Sequence, residues 1–273
     1  MRVSFASEPG EEGRPNEDWV GATPDVAVVL DGLSSAPGAD SGCRHGTPWY
    51  VARLGGRLLV TAGDPALSLP DALAAAIEQV AGLHPECDLT HPGTPSATVA
   101  ILRTVRPDDV EYLVLGDARI VLATSSGVEA ITDERVELVA QAERDAVYRE
   151  PIGSESHERA VAELIATQKP LRNRPGGYWV AATEPAVASH ALTGAAPAAQ
   201  MVDAALLTDG ASRIVDMFGQ ITWSDLMAIV REAGPWDIIA QVRAIEETDL
   251  EGMRWPRYKT ADDASITYMV EWP

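Results

Sequence analysis

Val26-Ala27-Val28-Val29-Leu30-Asp31-Gly32 is an apolar run that stops on a carboxylate and a glycine. It has a counterpart in Ala204-Ala205-Leu206-Leu207-Thr208-Asp209-Gly210. Runs of this length, rich in Val and Leu, predict buried strands. An Asp at the end of such a strand lies at the rim of a core, where its charge is costly unless something pairs with it. The glycine lets the chain turn sharply and lets its carbonyl approach a neighbouring group closely. Two such rims can bring Asp31 and Asp209 to one point, and carboxylates gathered there call for hard divalent cations. Taken singly, each Asp-Gly also reads as a hairpin turn.

Working outward, further strand patterns fall at residues 2–6, 97–102, 111–115, 119–124, 178–183 and 265–270. The short Gly116-Asp117-Ala118 connection predicts that 111–115 and 119–124 form a hairpin. Helical periodicity falls at 48–60, 69–81, 134–148, 155–167, 223–232 and 236–249. Asp133 and Ser154 are placed to cap two of these helices, and Ser68 with Asp71 marks another start. Residues 170–177 read as a loop leading into a strand, and 186–200 as a short helix with a surface connection. Strands cluster and helices come in pairs, which predicts an α+β fold with antiparallel sheets rather than a doubly wound parallel one.

The chain of 273 residues is long enough for a large core, and no linker composition divides it, so one domain over 1–273 is expected. Its formal net charge of -20 argues against nucleic-acid or anionic-membrane partners, since phosphate backbones are bound by clustered Lys and Arg. No run of about 18 apolar residues occurs, and the N-terminus turns polar too early for a signal peptide. Two cysteines, Cys43 and Cys87, make no disulfide framework and read as free thiols. A cytoplasmic location is the expectation.

Read in order, the acidic residues fall into a series. Arg14-Pro15-Asn16-Glu17-Asp18 precedes Asp31-Gly32. Pro95-Ser96-Ala97-Thr98 opens a strand, Gly116-Asp117-Ala118-Arg119 follows, then Thr208-Asp209-Gly210 and Asp262-Asp263-Ala264-Ser265. This ordered set, spread from about residue 4 to 270, resembles the metal-dependent protein phosphatases of the type 2C (PPM) family, in a divergent bacterial form. The resemblance implies an α-β-β-α sandwich, two central antiparallel sheets flanked by helices, with a dinuclear metal site at one edge. It implies that Asp31 bridges two Mg²⁺ or Mn²⁺ ions, with the Gly32 carbonyl as a further ligand. Asp209 and Asp262 would hold the second ion, Glu17 and Asp18 would act through waters, and Asp117 would help bind a third, weaker ion. Arg14 would bind the substrate phosphate. The implied reaction is hydrolysis of a phosphomonoester, above all phosphoserine or phosphothreonine in proteins, by a two-metal-activated water.

The sequence departs from that pattern in three places. Leu33-Ser34-Ser35 stands where many bacterial members have Met-Gly-Gly and eukaryotic members have a His that protonates the leaving group. Gly-Thr-Thr-Ala is reduced to Pro-Ser-Ala-Thr. Residues 133–185, which correspond to the flap beside the active site, have diverged most. Two alternatives therefore stay open: a phosphatase for a small phosphorylated metabolite, and an inactive phosphoprotein-binding pseudophosphatase. Some candidates have ordinary explanations. Arg14 can pair with Glu11, Glu12 or Glu17, Asp117 can be a turn residue, and Arg172 and Arg174 can sit in a solvated loop. His45 beside Cys43 invites a Cys-His nucleophile, which spacing alone does not support. His84, His91, His157 and His190 lack metal-ligand spacing and read as surface or cap residues.

Overall fold

The computed structural model describes residues 1–33, 40–105 and 109–272. Its strands are β1 (Arg2–Glu8), β2 (Trp19–Ala22), β3 (Val26–Gly32), β4 (Ala97–Val105), β5 (Asp109–Leu115), β6 (Arg119–Thr124), β7 (Gly127–Ile131), β8 (Leu192–Pro197), β9 (Met201–Leu207) and β10 (Ala264–Val270). Its helices are α1 (Gly46–Thr61), α2 (Leu69–Ala81), α3 (Arg135–Leu138), α4 (Gln141–Val147), α5 (Glu155–Gln168), α6 (Asp209–Asp216), α7 (Trp223–Ala233) and α8 (Pro235–Glu247). Two five-stranded sheets result, ordered β1-β10-β9-β6-β7 and β2-β3-β4-β5-β8. Every strand pairing is antiparallel.

The sheets pack face to face, and this explains why β3 and β9 lack alternation. Ala27 and Val29 of β3 meet Ala204 and Leu206 of β9 in the core between the sheets. The intervening Val26, Val28 and Leu30 point the other way, into a core shared with α1 and α2. Ala205 and Leu207 likewise face α6, α7 and α8. A strand buried on both faces must be apolar throughout. The expected α-β-β-α layering is the observed one.

Several local expectations are corrected. Residues 111–115 and 119–124 do not form a hairpin. β5 pairs with β4 and β8 in one sheet, whereas β6 pairs with β7 and β9 in the other. Both strands are apolar on both faces, so nothing in their pattern selects a neighbour, and Gly116-Asp117-Ala118 crosses between sheets, with Gly116 at φ 78°. Residues 178–183 make isolated bridges instead of a strand: Ala181 exchanges N–H···O bonds of 2.9 Å with Ala97. The side of this segment is pinned by Tyr50, whose hydroxyl donates to the Ala182 carbonyl at 2.8 Å.

The helix expected over 134–148 is broken, because Ala140 is left-handed at φ 54° and Val139 turns inward against Tyr178 and Val180. Asp133 accepts the Arg135 N–H at 3.1 Å and grips its guanidinium, although the residue at the helix start is Glu134. Ser154 and Ser68 do cap their helices, accepting N–H bonds from His157 and Asp71. Within 186–200 lies the edge strand β8, and a helix, α6, begins at Asp209 where none was expected.

The glycines of the two Asp-Gly pairs are fixed by close approach. A Cβ on Gly210 would lie 2.0 Å from the Asp263 carbonyl oxygen, and one on Gly32 would lie 2.5 Å from that of Glu17. By contrast, Gly56 on the exposed side of α1 has nothing within 4 Å. Gly210→Ala is expected to cost roughly 1–3 kcal/mol in urea unfolding. Gly56→Ala should instead stabilise by about 0.5–1 kcal/mol.

Candidate active site

Five separate segments deliver carboxylates to one end of the sandwich. Asp31 ends β3, Asp209 opens α6 directly after β9, and Asp117 lies in the crossover from β5 to β6. Asp262 and Asp263 precede β10, and Glu17 and Asp18 precede β2. Backbone bonds hold these ends together. Gly32 N–H donates to the Glu17 carbonyl at 3.1 Å, and Thr208 N–H to the Ser265 carbonyl at 3.0 Å. The Thr208 hydroxyl donates to the Asp18 carboxylate at 2.8 Å and accepts the Ser265 N–H at 2.9 Å. Asp263 is no ligand candidate: it clamps the entry loop, accepting Gly10 N–H at 2.8 Å and Glu17 N–H at 2.6 Å.

The gathered charges strain one another. Asp31 is held well above the usual carboxylate range, by removal from water first and then by Asp209, Asp18, Asp117 and Asp262. Asp18 is raised chiefly by burial, against the hydrogen bond from Thr208. Asp117 is pushed up to about 7 by burial and by Asp209. Asp262 behaves oppositely. Burial opposes its ionisation, but Lys259 and Arg213 together outweigh burial and hold it below the ordinary value. Lys259 Nζ sits 2.7 Å from one Asp262 oxygen, and Arg213 Nη2 lies 3.3 Å from the other. Arg213 is itself buried and paired with Glu246 at 2.7 Å.

Lys259 and Arg213 were not among the residues expected at the site. Arg213 lies one turn beyond Asp209 on α6, a helix the sequence pattern did not reveal. Lys259 stands three residues before Asp262 in an irregular segment.

Two cavities meet at this point. One, of about 780 Å³, is lined by Arg14, Glu17, Lys259, Asp262 and Asp263. The other, of about 690 Å³, is lined by Asp117, Asp209, Tyr148, Tyr178, Lys259 and Asp262. Arg14 is exposed at the first cavity and ion-paired with Glu11 at 2.9 Å, one of the ordinary partners anticipated. Arg172 faces neither cavity: it donates to the carbonyls of Pro92 and Thr94 and to Ser96 Oγ. Arg174 is exposed in its loop. Ser34 and Ser35, where a leaving-group acid would be sought, lie outside the described residues.

The donor set fits hard divalent ions. Asp18, Asp31, Asp117 and Asp209 offer only oxygen, and their mutual repulsion is what a dication relieves. Thr98, opposite Asp31 in the sheet, brings a buried hydroxyl without a protein partner to the wall of the second cavity. Asp262 fits the same role once Lys259 yields its place.

Asp117 gives a test of this charge crowding. Its value near 7 exceeds the ordinary 3.8, so the folded protein binds a proton that the unfolded chain lacks between those limits. Without metal, the group favours folding less as pH rises from about 4 to about 7, and levels off above. Melting temperatures in EDTA should fall over that window, and Asp117→Asn should flatten the fall. Equal slopes in variant and wild type would exclude the effect.

Comparison with known proteins agrees with this fold. The protein phosphatase 2C family model matches residues 10–247. Serine/threonine phosphatase Stp1 from Staphylococcus aureus shares the fold with a TM-score of 0.61 at 13% identity, covering 100% of this chain and 96% of that one. The Mycobacterium tuberculosis serine/threonine phosphatase PstP/Ppp gives a TM-score of 0.55 at 14% identity, covering 100% and 99%. A structure of the PstP catalytic domain in complex with two manganese ions gives 0.53 at 12% identity, covering 98% and 96%. No curated protein sequence matches the chain. The chain therefore belongs to the protein phosphatase 2C family.

Proposed function

We propose that this phosphatase hydrolyses phosphoserine and phosphothreonine in proteins and uses two Mg²⁺ or Mn²⁺ ions to do so. The observation that carries the reading is the convergence of Asp31, Asp209, Asp117 and Asp18 from both sheets. The structural neighbours are serine/threonine phosphatases, one of them with manganese, and this supports the substrate class and the ions. Asp31 and Asp209 would hold the ions, with the Gly32 carbonyl and Asp262 completing the set and Asp117 serving a weaker third. Such ions supply charge that acidifies water and offsets negative charge on phosphoryl oxygens.

The chain's own groups do the rest. Arg14 stands at the open cavity with a planar fork suited to two phosphate oxygens, and it exchanges Glu11 for substrate. Thr208 and Ser265 lock Asp18 at the ends of adjacent strands, so its oxygens hold one position. Asp263 keeps Glu17 and Gly10 in place, which sets the near wall of the cavity. A small phosphorylated metabolite is the alternative substrate, and the diverged region 133–185 motivates it. It contributes Glu137, Arg144, Tyr148 and Tyr178 to the second cavity.

Lys259 favours a second reading. An ammonium on Asp262 already neutralises part of the cluster, as befits a pseudophosphatase that binds phosphoproteins with little need for metal.

Hydrolysis of p-nitrophenyl phosphate with Mn²⁺, Mg²⁺ or EDTA separates these readings. Asp31→Ala and Asp209→Ala should each lose at least about 100-fold in turnover while still folding. Full turnover in either variant would disprove the two-metal assignment. Arg14→Ala should lower kcat/KM by roughly tenfold or more. Lys259→Ala should tighten Mn²⁺ binding measured by titration calorimetry. No turnover with any metal, joined to retained phosphopeptide binding, would establish the pseudophosphatase.

A further inference from the structure

Away from the carboxylates, four soft ligands meet. Cys43 and His45 lie just before α1, and His84 and Cys87 follow α2. One ligand atom from each of the four lies within 4.8 Å of all the others. His45 Nδ1 is 3.5 Å from Cys43 Sγ and 3.5 Å from Cys87 Sγ, and His84 Nδ1 is 3.6 Å from Cys43 Sγ. A tetrahedral zinc ion with Zn–S near 2.3 Å and Zn–N near 2.0–2.1 Å demands N···S edges of about 3.6 Å. The three separations match the edges of such a tetrahedron. Both thiols are free.

We propose that Cys43, His45, His84 and Cys87 bind one structural Zn²⁺. Two thiols lose their protons to solvent and two neutral imidazoles donate through Nδ1. The ion's two charges are then cancelled by two thiolates, and no carboxylate is needed. Thiolate ligands select zinc over the magnesium or manganese suited to the oxygen site. The four ligands fill a tetrahedron and leave no position for substrate, which marks a structural rather than a catalytic ion.

The surroundings are organised around the cluster. Trp49, one turn into α1, stacks on the His45 ring at 4.2 Å and packs against His84 at 5.1 Å, closing its inner side. His84 is 2% exposed. The residues between the ligands pair across the outside, Arg44 with Glu86 at 2.8 Å. Asp88 N–H donates to the Gly42 carbonyl at 2.8 Å, so the two loops already lie together. In the sequence, Cys-x-His and His-x-x-Cys are half-sites separated by the whole α1–α2 pair, so spacing alone does not relate them. His84, expected at the surface or as a cap, is instead buried among potential ligands.

The ion would tie the start of α1 to the end of α2. Ser41, Gly46, Thr47 and Pro48, on either side of the first half-site, line the cavity that also holds Arg14. Zinc would thereby fix one wall of the phosphate site without touching it.

The test uses the full chain, expressed with zinc and dialysed against excess Mg²⁺. Elemental analysis should find one equivalent of zinc in wild type and in Asp209→Ala, and none in Cys43→Ser/Cys87→Ser. Replacement by Co²⁺ should give the thiolate charge-transfer band and the intense visible bands of a tetrahedral site. In the Asp209→Ala background, a zinc chelator should lower the melting temperature by several degrees, without a contribution from the oxygen site. The proposal fails if wild type holds no zinc and shows no cobalt–thiolate band. It fails equally if the double variant keeps its zinc, or if intact mass shows the two thiols joined as a disulfide. Should the double variant not fold, the cobalt spectrum of wild type decides.

Discussion

Repulsion among Asp18, Asp31, Asp117 and Asp209 is the constraint on which the candidate site depends. Carboxylates at this end lie where water is scarce, and their charges together raise the cost of ionising Asp31 and Asp117. The fold holds them there because β3 and β9, which lead into Asp31 and Asp209, are fixed on both faces, by the core between the sheets and by the cores beneath the helices. Rigidity comes from the three cores. Reactivity comes from what the rigid ends are made to carry.

Relief of that repulsion has two sources in this chain. Divalent cations would be one. The other is internal: Lys259 and Arg213 reach Asp262, and Glu246 anchors Arg213 from α8. The cluster is therefore partly neutralised by the protein itself. The same arrangement ties α6, α8 and the segment before β10 into one network, since Arg243 bridges Glu246 to the Asp262 carbonyl. An ion at Asp262 would compete with the Arg213 contact that also joins α6 to the segment before β10.

Much of the fold and site was legible in the residues. The Val26–Gly32 and Met201–Leu207 strands announced themselves by continuous apolar character, and their terminal Asp residues pointed to a shared site. What escaped was non-local. The pattern of residues 111–124 is equally good for a hairpin and for a crossover, because strands buried on both faces carry no sign of their neighbours. The break at Ala140 depends on a pocket for Val139 built by Tyr178 and Val180, far along the chain. Lys259 owes its place to an irregular segment, which periodicity does not describe. The Cys/His cluster was invisible for a related reason: each half-site is too short to signify alone, and only the packing of α1 against α2 joins them.

The crossover at Gly116–Ala118 has a mechanical consequence. Asp31 ends a strand of one sheet and Asp209 follows directly after β9 of the other, while Asp117 stands on the short strap between them. Any slide of one sheet over the other would pull these carboxylates apart. A ligand gripping all three acts as a bolt through the sandwich, so pulling the two sheets in opposite directions should meet a force set by whatever occupies their common edge.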